Sequence, residues 1–269
     1  MGHNQIAVVF FLLFIHVSVS VSSPESILQL LPSDASSLPS YNNIGHRKFI
    51  SDDFLFCEGW RFTIETNDAG PWNRIPSRCL SFVQDYMTGD RYLSDSEAVA
   101  DSALAFAKKI EVSDDGKDAW VFDIDETLLS NVPFYQLHGF GSEIFDEQSF
   151  NDWVDLAEAP ALPASLRFYD ELKNLGVKIF LLTGRSEFQR NVTVKNLDYA
   201  GYSNWERLFL RGPSDQGTHA TVYKSAKRKE LEDEGYRILG SSGDQWSDLI
   251  GYAIAKRSFK LPNPMYYIA

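Results

Sequence analysis

The chain has 269 residues, 44% of them hydrophobic and 14% aromatic, enough for one sizeable core with or without an appendage. A formal net charge of −12 argues against nucleic acid and anionic membrane surfaces as partners. No internal repeat, heptad run or low-complexity tract occurs, so repeat and coiled-coil architectures are set aside.

Residues 6–15, IAVVFFLLFI, form an apolar run too short to span a bilayer, and small residues from Ser18 to Ser23 follow it. The pattern reads as a signal peptide over residues 1–23, cleaved near Ser22 or Ser23, although MGHNQ before it carries no Lys or Arg. The expected mature protein is soluble and free of the membrane, either secreted or vacuolar. Residues 24–56 are rich in Ser and Pro without a period and read as an extended lead-in.

Cys57 and Cys79 are the only cysteines, and in an oxidising compartment an even count favours a bridge over two free thiols. Residues 57–117 read as a helical appendage. Ser94 to Glu97 has the capping-box pattern for a helix start, and Val99, Ala103, Phe106 and Ile110 then recur at helical spacing. Gly116 and Lys117 mark the turn into residues 118–269, the expected catalytic core.

There strand-like runs at 118–123, 177–182, 206–210 and 236–240 alternate with helical patterns. The helices are a run through Phe168, Leu172 and Leu175 stopped by Gly176, then 186–200, then 223–235. This alternation predicts an α/β fold, a doubly wound Rossmann-like parallel sheet with helices on both faces. The segment 131–159 is long for a βα connection and dense in aromatics (Phe134, Tyr135, Phe140, Phe145, Phe150, Trp153). Such a segment either covers a site or forms a satellite core. Asn191-Val192-Thr193 is the one glycosylation sequon and matters only for a secreted chain.

Chemistry gathers at the ends of the expected strands. Asp123 and Asp125 stand two residues apart where the first apolar run ends, in the pattern D-x-D-x-T. The first carboxylate is placed to attack phosphorus and the second to handle the leaving-group proton. Asp123, Asp244 and a phosphate dianion beside it push the Asp125 pKa up while Mg²⁺ and Lys224 push it down, which leaves the net direction open. After the second strand, Thr183 offers a hydroxyl to a phosphate oxygen, Gly184 allows close backbone approach, and Arg185 offers a bidentate contact. A helix starting near Ser186 would aim free N–H groups at the same anion.

Lys224, with Lys227 as its understudy, is the candidate for neutralising Asp123 and the phosphate. After the fourth strand Asp244 and Asp248 stand four apart, on one face if a helix starts there. With the Asp123 side chain and the Asp125 carbonyl they supply hard oxygen ligands suited to Mg²⁺, and no soft ligand cluster argues for Zn²⁺. The acidity of the chain repels phosphate esters at neutral pH, but near its pI of about 4.8 that global repulsion vanishes.

Taken in order, Asp123 with Asp125, Thr183, Lys224, and Asp244 with Asp248 resemble the four motifs of the haloacid dehalogenase superfamily. DAWVFDIDETLLS, His138 to Gly141, LLTGRSE, GDQWSDL, the closing SFKLPNPMYYI and both cysteines are similar to the plant secreted acid phosphatases and vegetative storage proteins of its IIIB group. Ser241 departs from the more usual Asn, and Gln136-Leu137 depart from the residues common before His138. The resemblance implies an Mg²⁺-dependent acid phosphatase that acts on small phosphomonoesters through an aspartyl-phosphate. Legume members carry Ser at the nucleophile position. Asp123 therefore argues against an inactive storage protein, which stays as the alternative. The sequence leaves a homodimer open.

Overall fold

The computed structural model describes residues 51–268. The signal segment 1–23 and all but the last residues of the lead-in 24–56 lie outside the described residues.

Three helices come first: α1 (Asp52–Glu65), α2 (Leu80–Thr88) and α3 (Asp90–Ala107). Ser51 caps α1, accepting the Phe54 N–H. Cys57 on α1 is bonded to Cys79 in the 3₁₀ turn before α2, with Cα atoms 5.5 Å apart and both sulfurs buried. A bridge closing a loop of this length contributes roughly 3 kcal/mol in the chain-entropy model.

The capping box expected at Ser94 is not used. α3 begins five residues earlier, with Gly89 as its N-cap, and Glu97 pairs instead with Arg167. The reason is packing: the buried stripe Tyr92, Ser96, Ala100, Ala103 and Ala107 already starts before Ser94. Ala100, Ala103 and Ala107 share one apolar cluster with Trp120, Phe122 and Phe168, so this segment is joined to the core as a covering layer.

The sheet has five parallel strands, β1 (Asp118–Phe122), β2 (Lys178–Ser186), β3 (Arg207–Arg211), β4 (Arg237–Gly243) and β5 (Arg257–Lys260), in the order β3-β2-β1-β4-β5. Four were expected; β5 was not. Alternate residues of β1 serve opposite faces. Trp120 and Phe122 join α3 and α6 (Pro163–Asn174), whereas Ala119 and Val121 join Tyr223 and Leu231 of α8 (Ala220–Asp233). This is the doubly wound α/β arrangement read from the sequence. β1 leads to β2 on one side while β4 and β5 lie on the other, so the strand order reverses between β1 and β4. Open α/β sheets bind ligands outside the carboxyl ends of the strands at such a point.

Segment 131–159 folds into α4 (Val132–Leu137), a 3₁₀ turn at Gly139–Gly141 and α5 (Glu147–Leu156). Phe134, Tyr135 and Phe140 form a satellite core with Val83, Tyr86, Met87, Leu261 and Met265, while Phe145 stays 54% exposed. α7 (Arg190–Tyr199) follows a 3₁₀ turn at Glu187–Gln189 capped by Ser186.

Candidate active site

Asp123 follows β1 directly, and its N–H still pairs with the Ser242 carbonyl of β4 at 3.0 Å. The strand thus delivers a carboxylate, 6% exposed, to the switch point between β1 and β4. Asp244 follows β4 in the same way. Asp248 returns to meet it through a 3₁₀ turn, Trp246–Asp248, rather than the expected helix start. That turn is tight because a Cβ on Gly243 would sit 2.3 Å from the Asp248 Cβ, so only glycine admits it. One carboxylate oxygen from each of Asp123, Asp244 and Asp248 lies within 4.8 Å of the others.

Lys224 projects from α8 into this group. Its Nζ donates to Asp123 Oδ1 at 2.7 Å and also to Asp248 Oδ1. Burial works against its charge, but the two carboxylates outweigh it and push the ammonium above its ordinary range. Lys227 plays no such part: it pairs with Glu230 on the outer face of α8.

Three buried carboxylates therefore face one ammonium. Burial first, then repulsion from Asp248, pushes the Asp123 carboxyl well above the usual carboxylate range. The same two causes raise Asp244 to about 6. A divalent cation would bring the cluster to formal neutrality, and the all-oxygen donor set fits a hard ion.

Asp125 has different partners from this cluster. Arg185 Nη2 lies 2.6 Å from its Oδ1 and Arg185 Nε 3.1 Å from its Oδ2, while Asn131 Nδ2 adds a bond of 2.9 Å. Burial raises its pKa, yet the charge and hydrogen bonds of Arg185, followed by Asn131, win and hold it below the usual range. Arg185 thus decides a direction that the sequence leaves open, because the guanidinium it offers to phosphate lies on Asp125 instead. In fact β2 runs on through Ser186, so Thr183 and Arg185, two residues apart, share one face of the strand. That face meets Asp125. Arg185, 5% exposed, spends its fork there and its Nη1 on Thr193 Oγ1 at 3.3 Å.

Thr183 Oγ1 accepts the Arg185 N–H at 3.1 Å and stands 3.5 Å from Asp125 Oδ2. Gly184 is exposed and a Cβ there would meet nothing within 4 Å, so its backbone is open to a ligand. Asn191 is exposed at the start of α7, while the hydroxyl of its sequon partner Thr193 is buried against Arg185.

Several site residues went unread. Glu126, fully buried with a positive φ of 54°, takes the Tyr266 hydroxyl and the Asn131 N–H, the latter at 2.5 Å. Burial, then repulsion from Asp244 and Asp125, raises its carboxyl to about 8. Arg228, one turn beyond Lys224, donates to the carbonyls of Ala253 at 2.5 Å, Asp248 at 2.6 Å and Ile250. Asn131 is fixed by Trp153, whose indole N–H donates to its Oδ1 at 2.9 Å. The i, i+4 spacing of Lys224 and Arg228 is visible in sequence, but their targets are not.

Comparison with known proteins fits this geometry. Residues 43–269 match the family described as HAD superfamily, subfamily IIIB (acid phosphatase). The chain is 53% identical over 216 residues to acid phosphatase 1 of Solanum lycopersicum, covering 80% of this chain and 85% of that one. It is 34% identical to vegetative storage protein 2 of Arabidopsis thaliana, covering 96% of each. Among solved structures it is similar to the class C acid phosphatase of Bacillus anthracis, with a TM-score of 0.58 at 25% identity, covering 70% of this chain and 84% of that one. No helix among the described residues is long and apolar enough to cross a membrane.

Proposed function

The chain belongs to the acid phosphatases of haloacid dehalogenase subfamily IIIB, and from that premise we propose that it hydrolyses small phosphomonoesters through a phospho-aspartyl intermediate on Asp123. The observation that carries this reading is the pair of unlike carboxylates after β1. Asp123 faces the Lys224 ammonium and the acidic cluster, while Asp125 is set aside in the grip of Arg185.

In the first displacement an Asp123 oxygen attacks phosphorus and the P–O ester bond breaks. Asp125, protonated, gives its proton to the departing alkoxide. In the second, water attacks the same phosphorus, Asp125 takes the proton, and Asp123 is released as carboxylate. Since Arg185 favours the ionised form of Asp125, the acid form needed first is reached in acid solution or when the phosphate dianion arrives. Thr183, the open backbone at Gly184 and Lys224 bind the phosphate oxygens in this scheme. Arg185 acts through Asp125.

Asp123, Asp244 and Asp248, with the Asp125 carbonyl, are the residues that would hold Mg²⁺, which offsets charge between nucleophile and phosphate. We further read the protein as secreted or vacuolar by way of residues 1–23, with Asn191 as its glycan acceptor. The storage-protein relative favours a second reading, accumulation with little catalysis, and Asp123 speaks against it. Turnover of a panel of phosphomonoesters by the mature protein, with and without Mg²⁺, tests the reading. Phosphate release that requires Mg²⁺ is expected; no release from any ester would overturn it.

A further inference from the structure

The segment Leu261–Ile268 follows β5 and returns over the carboxyl edge of the sheet, its first N–H pairing with the Gly243 carbonyl at 2.9 Å. Two carboxamides tie it to one atom. Asn263, 3% exposed, accepts the Met265 N–H on Oδ1 at 2.9 Å and donates through Nδ2 to Asp244 Oδ2 at 2.7 Å. Gln245 accepts the Ile268 N–H on Oε1 at 2.9 Å and donates through Nε2 to the same Asp244 Oδ2 at 2.7 Å.

In each case a backbone N–H of the segment fixes which end of the amide is which. A flipped amide would set oxygen against oxygen at Asp244 and N–H against N–H at the backbone. Both donors therefore converge on Oδ2 by necessity. Asp244 Oδ1 receives only a long contact, 3.4 Å, from the Thr127 hydroxyl.

We propose that Leu261–Ile268 is a working part of the cation site, with Asn263 and Gln245 as positioning residues that occupy Asp244 Oδ2 and leave Oδ1 as the oxygen offered to a divalent cation. The proposal rests on the reading of Asp123, Asp244 and Asp248 as cation ligands and names what orients one of them. Carboxylate ligands are themselves hydrogen-bonded, and loss of such a partner typically weakens metal binding about 10- to 100-fold. By linkage, a cation that gains from the ordered segment must in turn steady it.

The test uses the chelator-stripped mature protein without substrate, titrated with Mn²⁺ and followed by electron paramagnetic resonance. Asn263→Ser keeps an acceptor for the Met265 N–H but withdraws the donor from Asp244. It should weaken Mn²⁺ binding about 10- to 100-fold, measured well below its melting temperature. A purely structural role for Asn263 would lower the melting temperature and leave that affinity unchanged; a change under about threefold overturns the proposal. Hydrogen exchange on the wild-type protein needs no variant. Mn²⁺ should slow exchange at the Met265 and Ile268 amides, and unchanged exchange at saturating Mn²⁺ would also overturn it. If the wild type binds no Mn²⁺ at all, the cation reading fails instead.

Discussion

The Arg185 guanidinium straddles the Asp125 carboxylate, with Nη2 2.6 Å from Oδ1 and Nε 3.1 Å from Oδ2. The contact sets the proton affinity of the group proposed to protonate the leaving group. Removing the guanidinium leaves burial as the leading influence on Asp125, so its pKa must rise. In Arg185→Met the limb of the kcat/KM profile that reports loss of the Asp125 proton should move to higher pH. Arg185→Lys, which keeps charge but not the fork, should move it less. Profiles that superimpose on the wild type would show that Arg185 does not tune Asp125.

Asp125→Asn separates esters by their leaving groups. An alkoxide needs a proton in the transition state and a nitrophenolate hardly does. In single turnovers the variant should therefore lose roughly 10² to 10⁴ in rate with alkyl phosphates and far less with nitrophenyl phosphate. Equal losses for both would remove Asp125 from the donor role.

The raised carboxyls make a stability prediction for the cation-free protein. Burial first, then neighbouring carboxylates, holds Asp123, Glu126 and Asp244 above their ordinary values, Glu126 at about 8 and Asp244 at about 6. The native state then binds protons that the unfolded chain has released, so the contribution of these three groups to stability is full below an unfolded pKa of about 4 and is lost as pH rises toward 8. Melting temperatures in chelator should drop between pH 5 and pH 8, and Glu126→Gln should flatten the drop. Mg²⁺ should restore more stability at pH 8 than at pH 5.

Arg228 is fully buried and serves three backbone carbonyls of the segment 248–253. Arg228→Met leaves those acceptors unpaired, a loss of roughly 2 to 5 kcal/mol. Because one carbonyl is that of Asp248, the Mg²⁺ concentration for half-maximal activity should rise as well. Denaturant melts and Mg²⁺ titrations check the two effects separately.

What the sequence disclosed was local. The runs feeding β1 to β4 are apolar and buried, and the motif residues at their ends follow from where each run stops. β5 escaped because only Phe259 among its four residues is buried. The start of α3 was misplaced because Ser94 and Glu97 satisfy a local rule that the buried stripe from Tyr92 overrides. Arg185 was assigned to phosphate because its partner is 60 residues away, and nothing near Thr183 announces that β2 continues. Asn263 and Tyr266 lie in a run that carries the family resemblance, but their bonds to Asp244 and Glu126 span 19 and 140 residues. Spacing alone does not pair residues across such distances.

The proposed mechanism stands on Asp123 as the residue that carries the phosphoryl group. The direct measurement is acid quench during turnover, borohydride reduction of any acyl phosphate, and peptide mass spectrometry, with Asp125→Asn included to let the intermediate accumulate. Homoserine is expected at position 123 in samples quenched with substrate and not in those quenched without it. Reduction mapped to another residue, or inversion at a chiral phosphorus with Asp123 unmodified, would contradict it.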